Sequence, residues 1–483
     1  MTTWDTVVRG GKIVSATEVY EADIGIKDGV VAAIGRDLGP CQTIVDARGL
    51  LVLPGGVDTH VHLEQTGLGP EMCDNWESGT ASAAAGGTTT VVCFAWQPKG
   101  GSLAAITADY HVKARQARVD YTFHLTVTDP TPEVLEVELP RLIAEGCRSV
   151  KVFMTYDGVR LDDRQALRVL AAARRNEALV CVHAENHDLI AWLTEQLVSA
   201  NLTTPKFHAY AKPMIAEREA VYRIISLAEA LDVPIQIFHV SGAQSAEEIA
   251  RAQARGLKVW GETCIHYLTL TAEDLDRPGF EGAKFIFGPP ARTEADQEAL
   301  WGYLRRGIIE VVSSDHSPTR FDDPKGKKFA GDPAPFNKVP NGIPGLAARL
   351  PVLFTEGVSK GRIDLPTFVR LTSTNPAKLF GLFPQKGSLA VGSDADFILW
   401  DAEKSVVLTN ELMHHGGDYT PYEGYQTQGY PVATYLRGRA IFDGRTVTGP
   451  AGGGRFIARP PYPMIAPLER FPTPFNAVDG RLV

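Results

Sequence analysis

The chain has 483 residues, 44% of them hydrophobic and 22% charged, the composition of an ordinary globular protein with room for two domains. Its formal charge of -9 is spread along the sequence without a basic tract, which argues against nucleic acid as a partner, and no apolar run approaches the roughly 20 residues of a membrane span. Six cysteines without CxxC spacing suit reduced thiols and hence the cytoplasm, and the opening "MTTWDTVVRGGKIV" lacks the continuous apolar core of a secretory leader.

Residues 5–52 alternate short apolar stretches with Gly and Asp turns ("TVVRGGKIV", "ADIGIKDGVVAAIG"), the pattern of hairpins in a β-sandwich. A different rhythm follows. Eight apolar runs lie at 56–63, 88–95, 120–127, 149–154, 179–185, 234–241, 257–264 and 308–315, with amphipathic segments such as "RQALRVLAAARRN" and "SAEEIARAQARG" between them. Near-continuous apolar strands alternating with helices imply a parallel sheet covered on both faces, and eight such units predict a (β/α)8 barrel. Residues 387–447 return to the hairpin pattern. Neither end is long enough for a comfortable sandwich alone, so the two are expected to pair. The expected organisation is a sandwich from 1–53 and 386–455, a catalytic barrel over 54–385, and an extended arm over 456–483 that crosses the surface or a neighbouring subunit. The glycines of that tail lack the strand–loop–helix context of a phosphate loop.

Polar residues able to hold a metal end several of the eight runs. His60 and His62 sit on alternate residues of the first, so they project to one side. His183 ends the fifth run, His239 the sixth and Asp315 the eighth. The carboxyl ends of barrel strands form one face, so these residues converge there. Each alone reads as an ordinary strand-end polar group; five together point to a metal site. Lys151, inside "SVKVFM", is the odd member. A buried ammonium is costly unless paired and would repel cations. It reads either as half of a buried ion pair or as a neutral amine that adds carbon dioxide, giving a carbamate whose oxygens bridge two metals. Four histidines, that bridge and one aspartate suffice for two divalent ions. Imidazole and carboxylate suit zinc best, with manganese, cobalt or iron as other occupants. Two close ions would hold a bridging hydroxide and polarise a carbonyl, which is apparatus for hydrolysis. Phe94, Trp96, Phe153 and Tyr156 are candidates for an apolar pocket, although Phe94 and Phe153 also read as barrel packing. His124 reads as structural, His316 as orienting a neighbour, and His414–His415 as solvent-exposed.

From "GVDTHVHL" through "FMTY", "CVHAEN", "FHVSG", "SSDHSP" and "PNGIPGLAARLP", the chain resembles the binuclear amidohydrolase superfamily, most closely its dihydropyrimidinase/hydantoinase branch. The resemblance implies that His60, His62 and Asp315 hold one metal and His183 and His239 the other, with carboxylated Lys151 joining both. It implies that Tyr156 stabilises the oxyanion and that the substrate amide is gripped through main chain around Asn341 and a serine before a Pro-Pro pair. Here Gly288 stands where that serine is usual. The implied reaction is hydrolysis of a cyclic amide or ureide, a dihydropyrimidine or 5-substituted hydantoin, to the N-carbamoyl amino acid. Asp315 would move the proton, and the assembly would be a homotetramer or dimer.

Rival readings keep the barrel. Dihydroorotase typically places an arginine soon after HxH, whereas Leu63, Glu64 and Gln65 follow here. Allantoinase or a cyclic-imide hydrolase would use the same metals. A mononuclear deaminase needs no bridging lysine. A non-catalytic assembly protein of this fold would have lost ligands that are all present in this chain.

Overall fold

The computed structural model describes residues 3–65 and 70–482. Runs rich in Val, Ile and Thr form strands because branched side chains pack well on a pleated surface, and continuous apolarity lets both faces be covered. The eight expected runs form eight parallel strands: Gly56–Val61, Thr88–Trp96, Asp120–Thr126, Ser149–Phe153, Leu179–His183, Ile235–Ile237, Val259–Cys264 and Ile309–Ser313. Each pairs with its neighbour in sequence. The sixth is shorter than its apolar run because the backbone turns left-handed at His239 (φ 42°), where a ladder cannot continue.

The chain just past the first strand meets the chain just past the last through backbone. The N–H of His62 donates to the carbonyl of His316 at 2.8 Å. Fully buried Arg349 braces that seam, donating to the carbonyls of Val57 (3.3 Å) and Val312 (3.1 Å) beside the Asp58 carboxylate. Helices cover the outside. Asp163–Arg175, capped by Asp162, buries Ala166, Val169, Leu170 and Ala173, an i, i+3, i+4, i+7 stripe. Among the described residues no helix is long and apolar enough to cross a membrane.

The two chain ends share one sheet. Leu51–Pro54 pairs with Lys12–Val14 on one side and antiparallel to Phe397–Val407 on the other, within a six-stranded sheet. A four-stranded sheet of N-terminal strands joins it over Val8, Ile24, Ile26, Val52, Phe397 and Leu399. The start of the expected surface or inter-subunit arm is buried, while most of residues 460–482 is exposed or half-buried. Ile457 donates its N–H to the carbonyl of Tyr121, and buried Arg459 donates to Phe123 O (2.6 Å) and Ser149 Oγ (2.9 Å). The arginine finds these acceptors at the barrel's amino-terminal end, so this part of the tail belongs to the floor of its own barrel.

Candidate metal centre

All eleven candidate site residues line one cavity of about 300 Å³ at the carboxyl ends of the strands: His60, His62, Trp96, Lys151, Phe153, Tyr156, His183, His239, Gly288, Asp315 and Asn341. Three of them, Tyr156 (φ 73°), His239 (φ 42°) and Asp315 (φ 44°), adopt the left-handed backbone that ordinary side chains avoid. Each lies just past a strand end. Such conformations cost about 1–3 kcal/mol and persist where the surroundings impose them, commonly at functional sites.

The Nε2 atoms of His60 and His62 lie 3.0 and 3.3 Å from Asp315 Oδ1, and these three residues present ligand atoms within 4.8 Å of one another. Opposite them, the rings of His183 and His239 are 4.3 Å apart. Two histidines are held by carboxylates that the sequence reading did not single out. His60 Nδ1 donates to Glu262 at 2.6 Å, and His183 Nε2 donates to Glu185 at 2.7 Å. Each bond fixes one ring nitrogen as the donor and leaves the other free for a cation. Lys212 in turn donates to Glu185 at 2.7 Å. The signal for Glu262 and Glu185 was present: each is an acid in or just after a buried apolar run, as Lys151 is a base in one.

Burial holds His62 and His183 down to about 4 and His239 well below its ordinary value, so these imidazoles are neutral, the form that ligates. Burial acts on His60 in the same direction, but the charges of Asp315 and Glu262 override it and raise it to about 9. Its proton occupies the contact with Asp315 that a cation would replace. Lys151 is fully buried, and its Nζ has no hydrogen-bond partner. It lies 4.2 Å from the centre of the Phe238 ring and 4.8 Å from that of Phe153. Burial draws it down to about 8 despite the field of Asp315. Among the described residues there is no ion pair to it, which removes the reading as half of a salt bridge. Unpartnered buried atoms at Lys151 Nζ, His62 Nδ1 and His239 Nδ1, with three neutral imidazoles and a carboxylate, fit a metal centre.

The apolar wall is Trp96, Phe153 and Val159 with Tyr156 against them. Phe94 is not in it. It stacks on His62 at 4.3 Å inside the barrel, so it is packing beneath the ligands. Gly288 sits against Tyr156: a Cβ there would come closer than 3.0 Å to the phenol oxygen. Lys212 Nζ lies 3.5 Å from that oxygen. His124 is structural, bonded to Ser149 Oγ and Thr59 O at 2.8 Å each. His316 anchors Asp74 at 2.9 Å. The expectation of exposure for His414–His415 does not hold. Both are partly buried, and His415 Nδ1 accepts from the N–H of Gly417 because the loop folds back over Cys73 and Asp74. The Cys264 and His266 ligand atoms also lie within 4.8 Å of Asp315, and neither His266 nitrogen has a partner.

Residues 51–441 match the amidohydrolase family. The chain is 44% identical to a D-hydantoinase of Ralstonia pickettii over 460 residues, 95% of this chain and 99% of that one. It is 43% identical to a D-hydantoinase of Geobacillus stearothermophilus, covering 94% and 97% of the two chains. The crystal structure of dihydropyrimidinase from Brevibacillus agri NCHU1002 superposes with a TM-score of 0.92 at 42% identity, covering 95% of this chain and 99% of that one. The chain is an enzyme of the amidohydrolase family, and within that family it belongs to the hydantoinases.

Proposed function

We propose that this enzyme opens the ring of 5-substituted hydantoins at a two-metal centre, adding water across the amide beside the substituted carbon to give the N-carbamoyl amino acid. The observation that carries the reading is the buried, unpartnered Lys151 amine among four histidines and Asp315. His60, His62 and Asp315 would hold one divalent ion and His183 and His239 the other, with Lys151 as a carbamate between them; zinc matches these donors best. When bound, such a pair makes water nucleophilic at neutral pH and polarises a carbonyl.

The remaining chemistry belongs to the chain. Asp315 accepts the proton of the attacking water and returns it to the leaving ring nitrogen, a role worth typically 10²–10⁴-fold. Burial raises the Tyr156 phenol well above its ordinary value, so it remains an O–H donor for the tetrahedral oxyanion. Lys212, facing the same oxygen, leaves the phenol proton free to point at substrate. Main chain at Gly288 and Asn341 reads the ring amide, while Trp96 and Phe153 meet the substituent. The described residues of the cavity wall include no arginine and no lysine but Lys151, so no side chain is left over to pair a substrate carboxylate, which favours a neutral ring over a carboxylated one. A wall of this kind discriminates by only about 1–3 kcal/mol per methylene, so specificity should be broad. The names of its relatives favour the D enantiomer. Six free thiols suit the cytoplasm, and a homo-oligomer is proposed on family likeness.

The test is kcat/KM for both enantiomers of phenylhydantoin, dihydrouracil, succinimide, allantoin and dihydroorotate. The expected order places D-phenylhydantoin and dihydrouracil first. Preference for dihydroorotate or allantoin would overturn the substrate assignment and leave the metal centre standing.

A further inference from the structure

We propose that Lys327 is the positioning residue of the substrate-amide grip, one buried side chain tying the segment that ends at Gly288 to the turn that carries Asn341. The inference rests on the reading of those two segments as the grip on the ring.

Lys327 lies in the irregular segment after the eighth strand and is fully buried. Its Nζ donates to the carbonyls of Ile286 (3.0 Å), Pro340 (2.7 Å) and Gly342 (2.7 Å). An ammonium has three donors, and these three carbonyls use all of them. Among the described residues there is no carboxylate within ion-pair distance of it. A buried cation without an anion is costly, so it is retained where its bonds accomplish something packing cannot.

What they accomplish is visible in the partners. Ile286 is two residues before Gly288, and Pro340 and Gly342 flank Asn341. The carbonyls of the flanking pair point at one nitrogen, which fixes the turn between them. Ile286 O accepts a second bond, from the N–H of Gly342 at 3.1 Å, so both of its lone pairs are used. Gly342 has φ 115° and no room for a Cβ beside the carbonyl of Ser317. Ser317 N donates to Ile343 O at 3.1 Å, so the Asn341 turn is pressed against the chain leaving Asp315. Without Lys327 the two halves of the grip keep the single Gly342–Ile286 bond, and the carbonyls of Pro340 and Gly342 are left facing each other without a donor. A grip on the ring that holds ground state and transition state alike acts on KM, so loosening it weakens binding and leaves kcat nearly unchanged.

Lys327→Met keeps the length and burial and removes every donor. The expected result is a KM for hydantoins raised at least about tenfold with kcat changed less than about threefold and both metals retained. The rise should be equal for 5-phenyl-, 5-methyl- and unsubstituted hydantoin, because main chain reads the ring and not the substituent. Trp96→Ala, by contrast, should reorder those three. A KM within twofold of the parent, or a rise that depends on the substituent, would overturn the assignment. Lys327→Gln, which keeps two donors, should give an intermediate KM. If neither variant folds, hydrogen exchange on the parent enzyme decides. The amides of Gly288 and of Asn341–Gly342 should open together, and independent exchange of the two segments refutes the tie. Parent enzyme without hydantoin turnover would refute the proposed function instead, leaving the exchange measurement to judge Lys327 alone.

Discussion

Replacing Gly288 with alanine should disable Tyr156 without touching it. The added Cβ falls closer than 3.0 Å to the Tyr156 oxygen, about 1 Å short of an ordinary van der Waals separation. That oxygen is the end of a rigid ring, not of a flexible chain. The ring lies edge-on to His183 at 5.0 Å and beside Phe153 at 6.3 Å, and Lys212 Nζ stands 3.3 Å from the new Cβ, so retreat is obstructed on three sides. A displacement of about 1 Å at a catalytic group costs about 10²-fold, or about 2.7 kcal/mol of transition-state stabilisation. Gly288→Ala should therefore lower kcat on phenylhydantoin about 10²-fold with metal content unchanged. The deciding assay is a double-mutant cycle with Tyr156→Phe, which itself should lower kcat more than it raises KM. Phenylalanine lacks the clashing oxygen, so adding alanine at 288 in that background should cost less than about threefold. An equal loss in both backgrounds, or full activity of Gly288→Ala, would show that the glycine does not govern the tyrosine.

Three other outcomes follow from the same geometry. Lys151→Ala should lose at least one metal by elemental analysis and nearly all turnover; two bound ions with full activity would remove the lysine from the centre. Asp315→Asn keeps an oxygen ligand but cannot take a proton, so turnover should fall more than about tenfold while metal content survives better, and a smaller loss would assign the proton to another group. Glu185→Gln should loosen metal binding about 10–100-fold and lower Tm, because it slackens His183 and leaves the Lys212 ammonium buried without its anion, a defect worth about 3–5 kcal/mol. Adding Lys212→Met should restore Tm and leave metal affinity weak; if affinity returns too, Glu185 acts only as the partner of Lys212.

Much of the architecture was legible because its signals are local. A barrel strand buried on both faces must be apolar along its length, so eight runs stand out, and a polar residue ending such a run marks the same end of each strand. That is why the convergence of His60, His62, His183, His239 and Asp315 on one cavity was readable from one sequence, and why Lys151 was conspicuous. The left-handed turns at Tyr156, His239 and Asp315 were not readable, since no glycine or asparagine announces them. Nor were the roles of Lys327, Arg349 and Arg459. Their acceptors are largely main-chain carbonyls far away in sequence, and a carbonyl has no letter in the sequence. Family likeness implies a grip around Asn341; the bonds from Lys327 to the carbonyls on either side of it are visible only in the fold.

The charges of the site connect these pieces. Around the cavity Asp315, Glu262 and Glu185 are negative, while Lys212, Lys151 and a protonated His60 are positive, so the metal-free arrangement is close to neutral. The proposed carboxylation of Lys151 would replace a positive charge with a negative one, and loss of the His60 proton would remove another. The same residues would then carry about three net negative charges facing the cavity. Two divalent ions held by these residues would overbalance that charge by one, which would favour an anionic nucleophile at neutral pH in a low-dielectric cavity. One divalent ion would leave the pocket negative and repel the nucleophile. On the proposed reading, the lysine would set the metal count through its sign as well as through its ligand atoms. Neutralising a carboxylate that does not ligate, as Glu262→Gln would do beneath His60, should accordingly weaken the centre even though every ligand remains in place.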